Sequence, residues 1–171
     1  MIGIIDNRIG TKSKQFLNIL CENLQNKDYI IIQSLETLQR NKNIITKFIS
    51  TGSTYNPSTM LEIIRKMNTE AIQTKKPFLG ICFGCEFINW FFNGSLSCRN
   101  NVVYSWRKVF WNNGVIETHK FAKQCVLHDV PIQKEAKTKN GEIVAIKKDN
   151  IKGVMFHPEV KTNVLQFFLI I

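Results

Sequence analysis

The sequence predicts an α/β domain, with a mostly parallel central sheet that gives way to an antiparallel or mixed C-terminal half. Two observations carry this expectation. Short, wholly apolar runs alternate with amphipathic stretches over the first half, the signature of parallel strands covered on both faces. Beyond Gly94 the amphipathic stretches stop, and short strand-like runs are separated by turn signals such as Asn112-Asn113-Gly114 and Asn140-Gly141.

Residues 1–6 (Met-Ile-Gly-Ile-Ile-Asp) read as the first buried strand. Residues 12–25 follow as a helix, with Phe16, Leu17, Leu20, Cys21 and Leu24 on one face. Residues 28–33 and 44–50 give the second and third strands. A second helix spans 57–74, with Asn56 as its N-cap and Pro57 at its first helical position; Leu61, Ile64, Met67 and Ile72 form its buried side. Residues 77–81 are a fourth strand running straight into Cys82, and helical spacing resumes over 85–92. In the second half, 102–110, 114–118, 142–146 and 152–156 read as strands, and 160–171 as a closing helix.

A chain of 171 residues supports one domain, residues 1–171, with a well-buried core. No apolar run is long enough to span a bilayer, and the N-terminus lacks the basic and apolar regions of a secretion signal, so a cytoplasmic location is expected. The net charge of +10 raises nucleic-acid binding. The basic residues are scattered and mostly lysine, which reads as a solvated surface instead. The odd number of cysteines, Cys21, Cys82, Cys85, Cys98 and Cys125, does not resemble a disulfide framework.

The segment Phe78-Leu79-Gly80-Ile81-Cys82-Phe83-Gly84-Cys85-Glu86 is the most informative. A residue between a buried strand and a helix sits on a tight turn, and glycines two residues to either side leave room for it. This is the logic of a nucleophile elbow with cysteine in place of serine. The helix N-terminus favours thiolate, and the Phe83 N–H is placed to meet an oxyanion. Cys82 and Cys85 also form a C-x-x-C, compatible with dithiol redox chemistry, less so with a metal site because no second pair follows. They are equally compatible with small core fillers.

The segment Gly153-Val154-Met155-Phe156-His157-Pro158-Glu159 decides between these. With the proline holding the chain extended, His157 and Glu159 face the same side. The carboxylate can then hold one imidazole nitrogen while the other takes a proton from a thiol, the general pattern of nucleophile, base and orienting group.

On these two segments, the opening strand Ile2–Ile5 and the loop Ser50-Thr51-Gly52-Ser53, the chain resembles the class I glutamine amidotransferases. The resemblance implies a flavodoxin-like three-layer sandwich and a γ-glutamyl thioester on Cys82. It makes His157 the base and acid, Glu159 its orienter, and the backbone N–H groups of Gly52 and Phe83 the oxyanion donors. It implies glutamine or another γ-glutamyl amide as substrate and, as partner, a separate ammonia-accepting synthetase subunit; it calls for no cofactor or metal. Where the family carries glutamine to hold the amino-acid end of the substrate, this chain has Glu86, a carboxylate suited to an ammonium and repelling a carboxylate. Glu86-Phe87-Ile88-Asn89 and Asn93-Gly94-Ser95-Leu96 are similar to the γ-glutamyl amide hydrolase branch, which leaves a stand-alone hydrolase as the alternative, beside a catalytically silent regulatory subunit. His119 falls where the family places a residue bordering the substrate pocket.

Overall fold

The computed structural model describes residues 1–9, 15–24, 27–55 and 57–160. Its strands are β1 (Ile2–Ile5), β2 (Tyr29–Ile32), β3 (Lys47–Ser50), β4 (Phe78–Ile81), β5 (Ser95–Trp111), β6 (Ile116–His128), β7 (Gln133–Thr138), β8 (Ile143–Lys148) and β9 (Ile151–Val154). The helices are α1 (Gln15–Asn23), α2 (Leu35–Asn41), α3 (Glu62–Gln73) and α4 (Phe83–Phe91), followed by a 3-10 turn at Pro158–Val160.

The strands form one sheet in the order β2-β1-β3-β4-β9-β8-β7-β5-β6. The first five run parallel, and every pairing from β9–β8 onward is antiparallel. This is the α/β architecture that the sequence predicts, with its change of character after α4. β1 and β4 are buried at every residue, as strands covered on both faces must be. α3 buries Ile64, Met67, Ala71 and Ile72 at helical spacing, and α4 is buried over its first seven residues. No helix among the described residues is long and apolar enough to cross a membrane.

Several elements differ from the sequence reading. α2 is additional: it has only Leu35 and Leu38 as apolar residues, but Ser34 caps it by accepting the Thr37 N–H at 3.1 Å. α3 begins at Glu62 after Leu61, which makes no side-chain cap, and Pro57–Thr59 form a turn. Asn56 itself lies outside the described residues. The chain before α3 is held as a loop because the Ser53 hydroxyl donates to Asn7 O at 2.6 Å and accepts the Tyr55 N–H at 3.1 Å. β7 is also additional; Gln-Lys-Glu-Ala-Lys-Thr buries only Ala136 and Thr138, and its place between β8 and β5 makes it a strand.

β5 and β6 form a hairpin far longer than the two short strands expected, with Gly114 at φ +85° in its turn. Cys98 and Cys125 are directly opposite in this ladder and form a disulfide, a pairing that the irregular cysteine spacing did not suggest, because cross-strand register is not visible in sequence spacing. The helix expected at 160–171 lies outside the described residues beyond Val160, which ends the 3-10 turn.

Candidate active site

Parallel strands deliver their C-terminal ends to one edge of the sheet, where open α/β folds place their ligand sites. β1 leads there into Asp6-Asn7-Arg8, β3 into Thr51-Gly52-Ser53, β4 into Cys82 and β9 toward His157. These segments surround a cavity of about 100 Å³ lined by Arg8, Phe16, Gly52, Cys82, Glu86 and His157, with Ser53, Thr54, Tyr55, Tyr104 and Ala122 completing its wall. A larger cavity of about 550 Å³ lies against β5 and β7–β9, lined by Trp111, Glu117, Glu135 and Lys152 among others, and holds none of the predicted catalytic side chains.

Cys82 has φ +52° and ψ −105°, a conformation rare for a residue with a side chain and typical of a strained junction that its surroundings hold in place. Those surroundings are glycines. A Cβ on Gly80 would collide with the backbone of Gly84, and one on Gly84 would lie 2.5 Å from Ser50 O. Strand, turn and helix therefore approach each other more closely than any other residue permits. The thiol, 6% exposed, lies 3.6 Å from Ala122 O, and the Phe83 N–H is directed at it. Gly52 packs on the other side: a Cβ there would sit 3.2 Å from His157 Cε1 and 3.9 Å from Cys82 Sγ.

His157 Nδ1 is 2.7 Å from Glu159 Oε1, both residues being 3% exposed. The sequence reading obtains this contact from an extended His-Pro-Glu backbone. Instead, Pro158–Val160 close a 3-10 turn, and the turn brings the carboxylate back to the ring. Asn23 of α1 donates to Glu159 O at 2.6 Å, and Lys120 O accepts the His157 N–H at 2.8 Å, so both ends of the segment are anchored. Phe16 stacks on the imidazole, while Nε2 is buried without a hydrogen-bond partner among the described residues.

Burial pushes the Cys82 thiol well above its ordinary pKa, and Glu86 and then Glu159 push it further; the Phe83 N–H opposes them. Desolvation thus opposes the thiolate that the helix N-terminus favours. Burial also raises Glu86 to about 8. At neutral pH Glu86 is mainly a neutral acid, able to donate as well as accept, which removes the repulsion expected of a carboxylate at that place.

Of the predicted site residues, Gly52, Cys82, Glu86 and His157 line the cavity, with Phe83 and Glu159 directly behind. His119 does not: it is buried against Phe156, ring centroids 3.9 Å apart, with Nε2 3.1 Å from Glu117 Oε2. Its strand alternation turns it to the opposite face from Ala122, which does reach the cavity. Cys85 faces β9, where a Cβ on Gly153 would lie 2.8 Å from its sulfur. Arg8, Phe16 and Tyr104 are cavity residues that the sequence reading passes over. The Asp6-Asn7-Arg8 run at the end of a buried strand is the signal that marks Arg8.

The family model for the class-I glutamine amidotransferases matches residues 4–168. A protein of Thermoplasma acidophilum described as a subunit of GMP synthase superposes with a TM-score of 0.79 at 18% identity, over 98% of this chain and 91% of that one. A glutamine amidotransferase from Thermotoga maritima gives 0.72 at 14%, over 98% and 80%. PurLQS from the same organism gives 0.71 at 14%, over 98% and 96%. At these identities the likeness is one of fold. No curated protein matches the sequence significantly. With the family model spanning nearly its whole length, the chain belongs to the glutamine amidotransferase class-I family.

Proposed function

We propose that the chain hydrolyses the γ-carboxamide of glutamine through a thioester on Cys82 and delivers the ammonia to a separate synthetase subunit. The observation that carries this is the grouping of a strained, buried Cys82, the Glu159-held His157 and Gly52 around one cavity.

With Glu159 holding Nδ1, Nε2 is the imidazole nitrogen left for the thiol. His157 takes the Cys82 proton as sulfur attacks the amide carbon. The carbonyl oxygen becomes an oxyanion, met by the N–H groups of Phe83 and Gly52. His157 then gives its proton to the leaving nitrogen, and ammonia departs. A water, deprotonated by His157, cleaves the thioester to give glutamate and restore the thiol. A thiol that ionises only as substrate arrives suits this sequence, because His157 supplies the base within the cavity.

Delivery to a partner is supported by the surface beside the mouth. Tyr104 and Ala122 line the cavity and are paired across the hairpin, next to Trp106 and Lys120. Tyr104 is 66% exposed and Trp106 55%, an aromatic surface continuous with the opening. The fold is shared with structures described as a subunit of GMP synthase and as PurLQS. Glu86, buried on the cavity wall, favours a second reading, hydrolysis of a different γ-glutamyl amide without a partner.

Glutamate release from glutamine by the purified chain, beside Cys82→Ala, tests the proposal. Release that Cys82→Ala abolishes is expected, and release unaffected by the substitution would overturn it. Activity confined to N-substituted γ-glutamyl amides would select the second reading.

A further inference from the structure

α3 carries an anomaly. Its buried face is Ile64, Met67, Ala71 and Ile72, yet Asn68 sits among them with no exposed surface. An apolar residue would satisfy the helical period there, so a buried amide at that position calls for a reason.

The side chain belongs to a closed ring of three hydrogen bonds. Asn7 Nδ2 donates to Ser50 Oγ at 2.7 Å, Ser50 Oγ donates to Asn68 Oδ1 at 2.6 Å, and Asn68 Nδ2 donates to Asn7 Oδ1 at 2.8 Å. All three residues are fully buried. The remaining N–H of each amide is also used, by Thr51 O at 2.6 Å and by Ile64 O at 2.9 Å. Turning Asn7 over would set its Nδ2 against Asn68 Nδ2, donor against donor, and turning Asn68 over would set its oxygen against Asn7 Oδ1 and Ile64 O, acceptor against acceptor, so each orientation is fixed by its neighbours.

Asn7 clasps the chain on both sides of Gly52. Its backbone N–H donates to Thr51 Oγ1 at 3.0 Å and its side chain to Thr51 O, while its carbonyl accepts the Ser53 hydroxyl at 2.6 Å. Ser50 also lies beneath the start of α4, since a Cβ on Gly84 would be 2.9 Å from its Oγ. One serine thus adjoins both backbone segments assigned to the oxyanion, Gly52 two residues after it and Phe83 next to Gly84.

We infer that Asn7, Ser50 and Asn68 are positioning residues that hold the Gly52 and Phe83 amides in register for the developing oxyanion. The inference rests on the catalytic reading of Cys82, and it assigns a rate effect to Asn68, which does not line the cavity. Such fixed donors act only on charge that appears during reaction, so the ring governs kcat more than KM.

The test is Asn68→Asp, which is isosteric and keeps the acceptor for Ser50 but loses both donors; Ser50→Ala serves if that variant does not fold. The readouts are amide hydrogen exchange at Gly52 and Ser53, the kcat and KM of γ-glutamyl amide hydrolysis, and alkylation of Cys82 by iodoacetamide. Expected are exchange at Gly52 and Ser53 at least tenfold faster, kcat at least tenfold lower, KM within twofold and alkylation within twofold. Unchanged exchange, or faster exchange with kcat unchanged, would overturn the inference. If the wild type turns over no γ-glutamyl amide, the catalytic reading fails by itself, and unchanged exchange still overturns the ring's role.

Discussion

Phe16 lies flat on the imidazole of His157, with ring centroids 3.8 Å apart and planes inclined by 16°. Glu159 fixes the ring from its edge through Nδ1, and Phe16 fixes it from its face, so the direction of Nε2 is set twice. Phe16→Ala should leave the Glu159 contact in place but free the ring to tilt. A loss of about tenfold in kcat is expected, part of the roughly 10²–10⁴-fold that a positioned acid–base contributes. Phe16→Tyr keeps the stack and should retain most of the rate. Equal losses in the two variants, measured by steady-state glutamate release, would argue against the stack as the cause.

Glu159→Gln tests the other support. The amide still reaches Nδ1 but no longer stabilises an imidazolium by charge, so kcat should fall about 10²-fold or more. Thermal melting should change far less than activity. Wild-type kcat in this variant would remove Glu159 from the mechanism.

Glu86 predicts a dependence of stability on pH. Its carboxyl is raised by burial to about 8 in the folded chain, against an ordinary value of 4.5. The folded state therefore holds this proton where the unfolded chain has lost it. The associated stability is fully present below about pH 4.5 and is lost as pH rises to about 8, with a slope of at most ~1.4 kcal/mol per pH unit. Glu86→Gln removes the titration. Denaturant unfolding at pH 5 and pH 8 should show the variant gaining on the wild type as pH rises, and parallel curves would contradict the assignment. The same substitution removes a charge that raises the Cys82 thiol, so iodoacetamide should label the variant faster above pH 8.

Gly84→Ala addresses the elbow. The added methyl would lie 2.5 Å from Ser50 O, a backbone atom that cannot swing aside. A cost of about 1–3 kcal/mol or more is expected from overpacking, with Cys82 displaced along with α4. Loss of stability in urea unfolding together with loss of glutamate release is the expected outcome. A fully stable and active variant would mean that strand and helix are not held this closely in solution.

The grouping of Cys82, His157 and Glu159 was legible in the sequence where its causes are local. A buried run ending in Gly80-Ile81-Cys82-Phe83-Gly84 specifies a strand, a crowded turn and a helix, because only glycine allows the approach seen there. His157 and Glu159 are two residues apart, so their contact follows from any backbone that turns them together, and a 3-10 turn served as well as the expected extension. The parallel half was legible for the same reason, as wholly apolar runs have no solvent face to show.

What tertiary structure alone decided depends on neighbours remote in the chain. β7 has too few apolar residues to declare itself and is a strand because β8 and β5 flank it. Asn7 and Asn68 are 61 residues apart, and Arg8, Phe16 and Tyr104 reach the cavity from the turn after β1, from α1 and from β5. Burial raises the pKa of both Glu86 and Cys82, against what a free carboxylate and a helix-capped thiol would do in water. The sequence by itself determined which groups are candidates for the chemistry; desolvation and long-range contact determined their surroundings and their aim, because both are properties of the packed interior and of no single segment.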